Sequence, residues 1–193
     1  MPGDFARAIR LIDEANARDP NTLVVGGEAR PKELAHAELL TAWVQRLRPD
    51  AGEALLLAAR AQHLRRWEHP RASYPDGRSG YLRWRIAQQQ FHATETGKIL
   101  SEAGYDAATI ERVQLLIQKK NLGSDPEVQA LEDGLCLVFL ETQFDSLGQR
   151  VADEKMVEIL RKTWRKMSPD GRAAALSLNL TERQRAMVAL AAG

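Results

Sequence analysis

Apolar residues recur at helical spacing along almost the whole chain, and this periodicity constrains the fold more than any other feature of the sequence. It is clear between Pro31 and Arg48, where the apolar stripe consists of Leu34, Ala35, Leu39, Trp43, Val44 and Leu47. No stretch alternates apolar and polar residues convincingly enough to indicate a β-strand, and the turn-rich segment DPNTLVVGGEARP is interpreted as a loop. The sequence therefore predicts an all-α fold.

Helix caps and helix breakers divide the pattern into about eight helices. Asp50 with Glu53, and Ser124 with Glu127, have the spacing of capping boxes. The helices are predicted over Asp4–Asp19, Pro31–Arg48, Ala51–Trp67, Tyr81–Ala103, Ala107–Lys120, Pro126–Leu147 and Asp153–Met167, with two short terminal helices beginning at Ser168-Pro169 and Thr181-Glu182. The length of 193 residues suits one domain. We expect a single-domain helical bundle, with a core over about residues 31–147 on which the helices of residues 153–192 pack.

Charge and cysteine content narrow the choice of partners and compartment. The formal net charge is +1, which gives no general attraction to nucleic acid or to a membrane surface. Cys136 is the only cysteine, so no disulfide can form within the chain, and neither a signal-peptide core nor an apolar run of membrane-spanning length is present. We expect a cytoplasmic protein that binds neither nucleic acid nor membrane.

The stretch Ala58–Pro75 ends an apolar helix with an unusual concentration of polar side chains. Two histidines, four arginines and two aromatic residues follow one another there: His63, His69, Arg60, Arg65, Arg66, Arg71, Trp67 and Tyr74. Pro70 stops the helix, so these groups lie at a helix end and in the loop after it, a common place for binding groups. The alternative is a solvated helix terminus, at which the arginine cations interact favourably with the negative end of the helix dipole. For the group as a whole we favour a ligand site.

Three of the four histidines fall on three successive predicted helices. His36, His63 and His92 can turn toward one point together with Asp133 of the long sixth helix. Imidazoles with a carboxylate suit a transition metal such as zinc, iron or manganese. Glu132, the neighbour of Asp133, can orient a ligating histidine or act as a general base. The alternative is that each is an ordinary buried histidine of a helical core.

The order of these residues resembles the HD-domain superfamily of metal-dependent phosphohydrolases, which are all-helical bundles. HAELLTAWVQRL offers His36 as the first ligand, LLLAARAQHLRRW resembles the helix that ends in the His-Asp pair, and EDGLCLVFLE offers Asp133 as the last ligand. FHATETGKILSEAGYDAATIERVQLLIQKKN resembles the segment that carries further histidines, of which His92 matches one. The sequence of these segments also resembles an uncharacterised family of domains of unknown function.

Two departures from the superfamily's pattern change what the resemblance implies. Gln62-His63 stands in place of the His-Asp pair, and Lys119-Lys120-Asn121 replaces a second pair of histidines, so a two-metal centre is not expected. The ligands that remain are His36, His63 and Asp133, which would hold one divalent transition metal (iron, manganese or zinc). His92 would be a fourth ligand or would contact the ligating residues without binding the metal. The alternative is a degenerate HD fold that has lost its metal and kept its pocket.

Cationic side chains around this proposed centre indicate what the pocket holds. The expected phosphate-binding residues are Arg66, Arg71, Arg83, Arg85 and Lys119, since arginine forks match phosphate and carboxylate oxygens. For any single arginine, a surface ion pair is the alternative. We expect a hydrolase of a small phosphorylated metabolite or nucleotide, in which His63, Asp133 and Glu132 are catalytic. The competing hypothesis is a non-catalytic HD-like module that binds an anionic ligand through its arginines.

Overall fold

The computed structural model describes residues 3–193 and confirms an all-α single domain. Within these residues the helices are α1 (Phe5–Asn16), α2 (Lys32–Leu47), α3 (Glu53–Ala61), α4 (Gly77–Glu102), α5 (Ala107–Ile117), α6 (Pro126–Thr142), α7 (Phe144–Gly148), α8 (Asp153–Lys166), α9 (Pro169–Leu176) and α10 (Glu182–Ala192). Two short 3-10 turns, Arg66–Glu68 and Arg71–Ser73, connect α3 to α4. No helix among residues 3–193 combines the length and the apolar character that crossing a bilayer requires.

Five of the ten α-helices among residues 3–193 begin at an acidic or hydroxyl side chain that accepts from a free backbone N–H of the first turn. Asp4, Asp106, Asp125 and Ser168 cap α1, α5, α6 and α9 in this way. Thr181 forms a complete capping box at α10. The predicted box at Asp50 is wrong: α3 begins after Gly52 without a side-chain cap, because the Asp50 carboxylate accepts from Arg48 instead.

The segment interpreted as a loop contains a β-hairpin. Strands β1 (Thr22–Val25) and β2 (Glu28–Pro31) pair antiparallel across Gly26 and Gly27, whose φ values of 60° and 87° are those that a two-residue hairpin turn requires. Strands of four residues are too short to show a clear alternation of apolar and polar residues in the sequence. The hairpin leads into α2, where the buried Asp19 carboxylate accepts from the Glu33 N–H at 3.0 Å.

Helix α6 lies at the centre of the bundle. It packs against α2 and α9 and also touches α3, α5 and α8. Its buried apolar residues are Val128, Ala130, Leu131, Cys136, Leu137, Val138 and Leu140. Gly134 permits the close approach to α2, since a Cβ there would lie 2.8 Å from Leu40 Cδ1. The polar residues of α6 are therefore held on a rigid support.

Two helix boundaries differ from the prediction in ways that shape the site. Helix α3 ends at Ala61 rather than near Trp67, because Arg65 adopts a left-handed conformation with φ 54°. Its N–H donates to Asn16 Oδ1 at 3.1 Å, which ties the turn to α1. His63 and Arg66 consequently project from a tight turn and not from a continuous helix. Helix α6 ends at Thr142, where Gln143 separates it from α7.

Candidate functional site

A cavity of about 300 Å³ lies between α2, the turn after α3, α4, α6 and α8. Its wall combines imidazoles, cations, carboxamides and aromatic rings. The lining residues are His36, Gln62, His63, Arg66, Tyr81, Trp84, Arg85, Gln88, Gln89, His92, Lys119, Glu132, Leu135, Cys136, Phe139, Gln143, Thr163 and Lys166. Most of the predicted site residues therefore meet at one place.

The three predicted histidines form a contiguous row in this cavity. The rings of His36 and His63 are stacked with their centroids 4.3 Å apart, and His63 lies 5.9 Å from His92. Burial lowers the pKa of His36 to about 3 and that of His92 to about 4, and it holds the pKa of His63 well below its usual value. All three imidazoles are therefore neutral near pH 7, the form in which histidine ligates a metal or accepts a hydrogen bond.

Glu33 joins two of these histidines in a cluster that the sequence analysis missed. One ligand atom from each of Glu33, His36 and His63 lies within 4.8 Å of the others. Glu33 Oε2 is 3.3 Å from His63 Nδ1, yet this oxygen and His36 Nδ1 are buried without a hydrogen-bond partner in the described part of the chain. Leaving such groups unpaired costs about 1–3 kcal/mol each. Side-chain oxygen and nitrogen atoms that lack a hydrogen-bond partner can instead bind a metal cation as ligands.

Helix geometry explains how Glu33 reaches the cluster, and this signal was available in the sequence. Glu33 precedes His36 by three positions in the first turn of α2, so both side chains lie on one helix face. The hairpin and Asp19 fix where α2 begins and thereby orient that turn. An acidic residue three positions before a candidate ligand was a detectable pattern.

Asp133 does not join the histidines, which corrects its prediction as a metal ligand and catalytic residue. Its carboxylate accepts from the Ser168 N–H at 2.9 Å, from Ser168 Oγ at 2.5 Å and from Gln129 Nε2 at 3.0 Å. Both oxygens are thus engaged at the start of α9, and Asp133 neither lines the cavity nor belongs to the Glu33 cluster. Its role is to connect α6 to α9.

Glu132 does line the cavity, but two lysines hold it. Lys119 Nζ lies 2.5 Å from Glu132 Oε2, and Lys166 Nζ lies 3.4 Å from Oε1. Burial alone would raise the pKa of Glu132, whereas the two ammonium groups outweigh burial and lower it. Glu132 is therefore ionised, and its strongest contacts fix the positions of two cations. Lys166 was not among the predicted residues.

Arg66 and Arg85 bring two further cations to the wall. The guanidinium of Arg66 lies 4.8 Å from the centroid of the Trp84 ring, and that of Arg85 lies 5.9 Å from the Tyr81 ring. Neither arginine has a carboxylate within 4.0 Å among residues 3–193. Burial lowers the pKa of Arg66, although an arginine stays charged. The cavity has four cationic residues and one acidic residue, Glu132, and so favours an anion.

Two of the predicted phosphate-binding arginines lie outside the cavity. Arg71 donates to the carbonyl oxygens of Tyr74 and Pro75 at 2.8 and 2.9 Å and stabilises the loop before α4. Arg83 is exposed on α4. Neither lines the cavity, so both predictions are wrong. Arg71 is held by the loop carbonyls, and its position on α4 turns Arg83 outward.

Comparison with known proteins identifies the family. Searches of curated proteins and of solved structures each found no match to this chain. A family model described as a domain of unknown function, DUF4202, matches residues 6–188. That range contains all helices that build the cavity, and it spans nearly the whole domain. The chain therefore belongs to the DUF4202 family.

Proposed function

We propose that this protein is a metal-dependent hydrolase of a small phosphorylated metabolite or nucleotide. One observation carries the proposal: the cluster of Glu33, His36 and His63 lies beside a cavity with four cationic side chains. Such a pairing of a metal-ligand set with an anion-binding wall suits phosphoester hydrolysis. The buried thiol of Cys136, the only cysteine, fits the reducing cytoplasm that we propose as its location.

The residues present fit a divalent transition metal. Two imidazoles and a carboxylate form a common ligand set for zinc, manganese or iron and leave coordination positions open. His36 Nδ1 and Glu33 Oε2 lack other partners within residues 3–193, and the imidazoles are neutral. In the HD-like interpretation, which remains a proposal, His36 and His63 keep their expected roles and Glu33 takes the place of Asp133.

The residues around the cluster have different roles in binding and hydrolysis. When bound, the metal supplies an activated water. Arg66 and Arg85 donate to phosphoryl oxygens, and Lys119 adds a third cation that stabilises the charge developing there. Glu132 keeps the ammonium groups of Lys119 and Lys166 in position. The water oxygen bonds to phosphorus as the ester P–O bond breaks, and the proton that the water loses ends on the departing ester oxygen.

Metal analysis of variants tests the ligand set. The protein purified without chelator should hold close to one equivalent of iron, manganese or zinc, and Glu33→Gln and His63→Ala should lose it. His69→Ala is the matched control, because His69 packs on Phe91 outside the cluster. Circular dichroism would verify that each variant is folded. Full metal content in both ligand variants would contradict the proposal. Metal-loaded protein would then be assayed against phosphomonoesters and nucleotides, with His63→Ala expected to be inactive.

A second candidate function is an anion-binding module without catalysis. It is favoured by Gln62, the residue in place of the superfamily's histidine, whose amide donates to the Ile117 carbonyl at 3.2 Å instead of facing a metal. This hypothesis predicts that a phosphorylated ligand binds equally well with and without chelator and is recovered unchanged. Hydrolysis that depends on metal would contradict it.

A further inference from the structure

The lining of the cavity changes from charged to apolar along α6. The cavity-lining residues of this helix and its C-terminal end are Glu132, Leu135, Cys136, Phe139 and Gln143, and their spacing places them along one face. Glu132, which holds Lys119 and Lys166, lies toward the start of this face. Phe139 follows seven positions later, about 10 Å further along the helix axis. A phosphate beside the two lysines would therefore have an apolar wall next to it.

Leu135 and Phe139 are the accessible apolar residues of this face. Every other residue from Leu131 to Leu140 is buried, whereas these two are partly exposed and both line the cavity. Because their neighbours along the helix are enclosed in the core, the exposed surface of these two side chains faces the cavity. A ligand in the cavity can therefore touch them directly.

Aromatic rings lie beside the arginines that line the cavity from α4 and from the turn after α3. Tyr81 lines the cavity and is 44% exposed, so it lies at the opening, where a ligand can reach its ring. The centroid of that ring is 5.8 Å from the centroid of Trp84. The guanidinium of Arg85 lies beside Tyr81, and that of Arg66 lies beside Trp84. The substituent of a phosphate held by these arginines would therefore meet aromatic surface.

We propose that the ligand of this cavity carries a planar aromatic ring, which packs against Tyr81, Trp84 and Phe139 while its phosphate lies against the cations. The proposal rests on the proposed function, in that it places a phosphate in this cavity. It adds the chemical class of the group that carries the phosphate. Aromatic rings in contact attract each other beyond the gain from the apolar area that they bury. A nucleobase and a simple aryl group share this chemistry.

Other substituents of the phosphate fit the same wall less well. A polyhydroxy group would place hydroxyls against Leu135 and Phe139, whose side chains offer no hydrogen bond in exchange for the water that is lost. A saturated ring would bury a similar apolar area without the attraction between aromatic rings. Inorganic phosphate would leave the apolar wall in contact with water. The preference for an aromatic over a saturated ring therefore distinguishes the proposal from simple apolar burial.

A matched pair of phosphonates tests the proposal without turnover, because water does not cleave their carbon–phosphorus bond in such a site. Isothermal titration of the purified full chain would compare benzylphosphonate with cyclohexylmethylphosphonate, in which a methylene group separates the ring from the phosphonate. We expect the benzyl compound to bind at least about threefold more tightly. Equal affinity, or tighter binding of the cyclohexyl compound, would overturn the proposal while leaving anion binding intact. Failure of both to bind would overturn it together with the anion site.

Removal of single rings assigns the preference to the wall. Tyr81→Leu and Phe139→Leu each keep an apolar side chain and should reduce the preference for the benzyl compound. Binding of the cyclohexyl compound should persist in both variants, which also shows that the site is folded. Tyr74→Leu is the matched control, because Tyr74 does not line the cavity, and it should retain the preference. A full preference in both Tyr81→Leu and Phe139→Leu would overturn the assignment.

A third compound distinguishes the two sources of an aromatic ring. An acyclic adenine phosphonate, in which a short ether chain joins the base to the phosphonate, would be titrated beside benzylphosphonate. Tighter binding of the adenine compound would identify a nucleobase as the ring, and tighter binding of the benzyl compound would identify a smaller aryl group. Tyr81→Leu should weaken whichever compound binds more tightly. Binding of that compound unchanged in both Tyr81→Leu and Phe139→Leu would contradict packing of the ring on this wall.

Discussion

Lys119 occupies a backbone position that normally belongs to glycine. Helix α5 ends in a Schellman motif, in which the Lys120 N–H donates to the Leu115 oxygen and the Lys119 N–H to the Leu116 oxygen. Lys119 itself has φ 55°, the left-handed conformation that disfavours side chains. A lysine here carries strain that a glycine would avoid, and its ammonium group reaches Glu132 in the cavity. Lys119 thus brings its charge into the cavity from a strained backbone position, as side chains of functional sites often do.

Comparison of Lys119→Gly with Lys119→Met separates backbone strain from charge. Both variants lose the ammonium group and leave Glu132 with Lys166 alone, so they differ chiefly at the backbone. We expect the glycine variant to be more stable than the methionine variant by about 1 kcal/mol in urea denaturation. Both should bind inorganic phosphate several-fold more weakly than the unsubstituted protein. Unchanged phosphate affinity in both would exclude Lys119 from the anion site.

At this scale the sequence predicted the residue types of the site better than their partners. His36, His63 and His92 do meet, because α2, the turn after α3 and α4 all border the same cavity. Glu33 was missed although its spacing from His36 was visible. Asp133 was misassigned because helical periodicity does not determine which face of a buried helix meets which neighbour. Whether a carboxylate faces a metal site or caps the next helix depends on tertiary packing.

At the scale of elements, Asp133 and Ser168 join the central helix to the C-terminal helices. Ser168 caps α9 through its hydroxyl, which accepts from the Gly171 N–H at 3.1 Å, and it donates to Asp133 at the same time. Gly171 is required beside this pair, since a Cβ there would lie 2.6 Å from Asp133 Cγ. The start of α9 is thus built on a buried carboxylate of α6.

Asp133→Ala should therefore destabilise the fold without removing metal. The change leaves the Ser168 N–H and hydroxyl without their acceptor, and losing such a buried charged network costs about 3–5 kcal/mol. Urea denaturation measures the stability and elemental analysis the metal content. In a double-mutant cycle with Ser168→Ala the two losses should not add, because they remove one network. Loss of metal from a folded Asp133→Ala protein would restore the original ligand prediction.

Among the elements, the long amphipathic helices were predictable and the connections were not. Pro126 was correctly predicted at the start of α6, but the predicted capping box at Ser124 is wrong: Asp125 caps the helix, and the Ser124 hydroxyl donates to the Asn121 oxygen. The hairpin of Thr22–Pro31 was missed because its strands are short, and the early end of α3 depends on the left-handed Arg65 and its contact with Asn16. That contact spans 49 positions, so no local pattern reveals it.

At the scale of the whole molecule, the cavity lies where segments from distant parts of the chain meet. Helix α2 contributes His36 to the lining, whereas α8 contributes Thr163 and Lys166. The bundle buries three neutral histidines where these parts meet, and burial of an unprotonated histidine makes folding sensitive to pH. The site therefore leaves a signature in the stability of the entire domain.

The free energy of unfolding should fall as the pH decreases from about 6.5 to about 4. In the folded protein the pKa of His92 is lowered to about 4 and that of His36 to about 3, whereas in the unfolded chain both return to near 6.5. Within this window the unfolded chain binds protons that the folded chain does not, so acid favours unfolding by up to roughly 1.4 kcal/mol per pH unit for each histidine. Above pH 6.5 both states are deprotonated, and this contribution is constant. Urea denaturation of chelator-treated protein at pH 7.5, 6.5 and 5.5 measures the slope, and His92→Gln should reduce it by the share of one histidine. A free energy of unfolding that stays constant from pH 7.5 to 5.5 would contradict the burial of neutral imidazoles in the core.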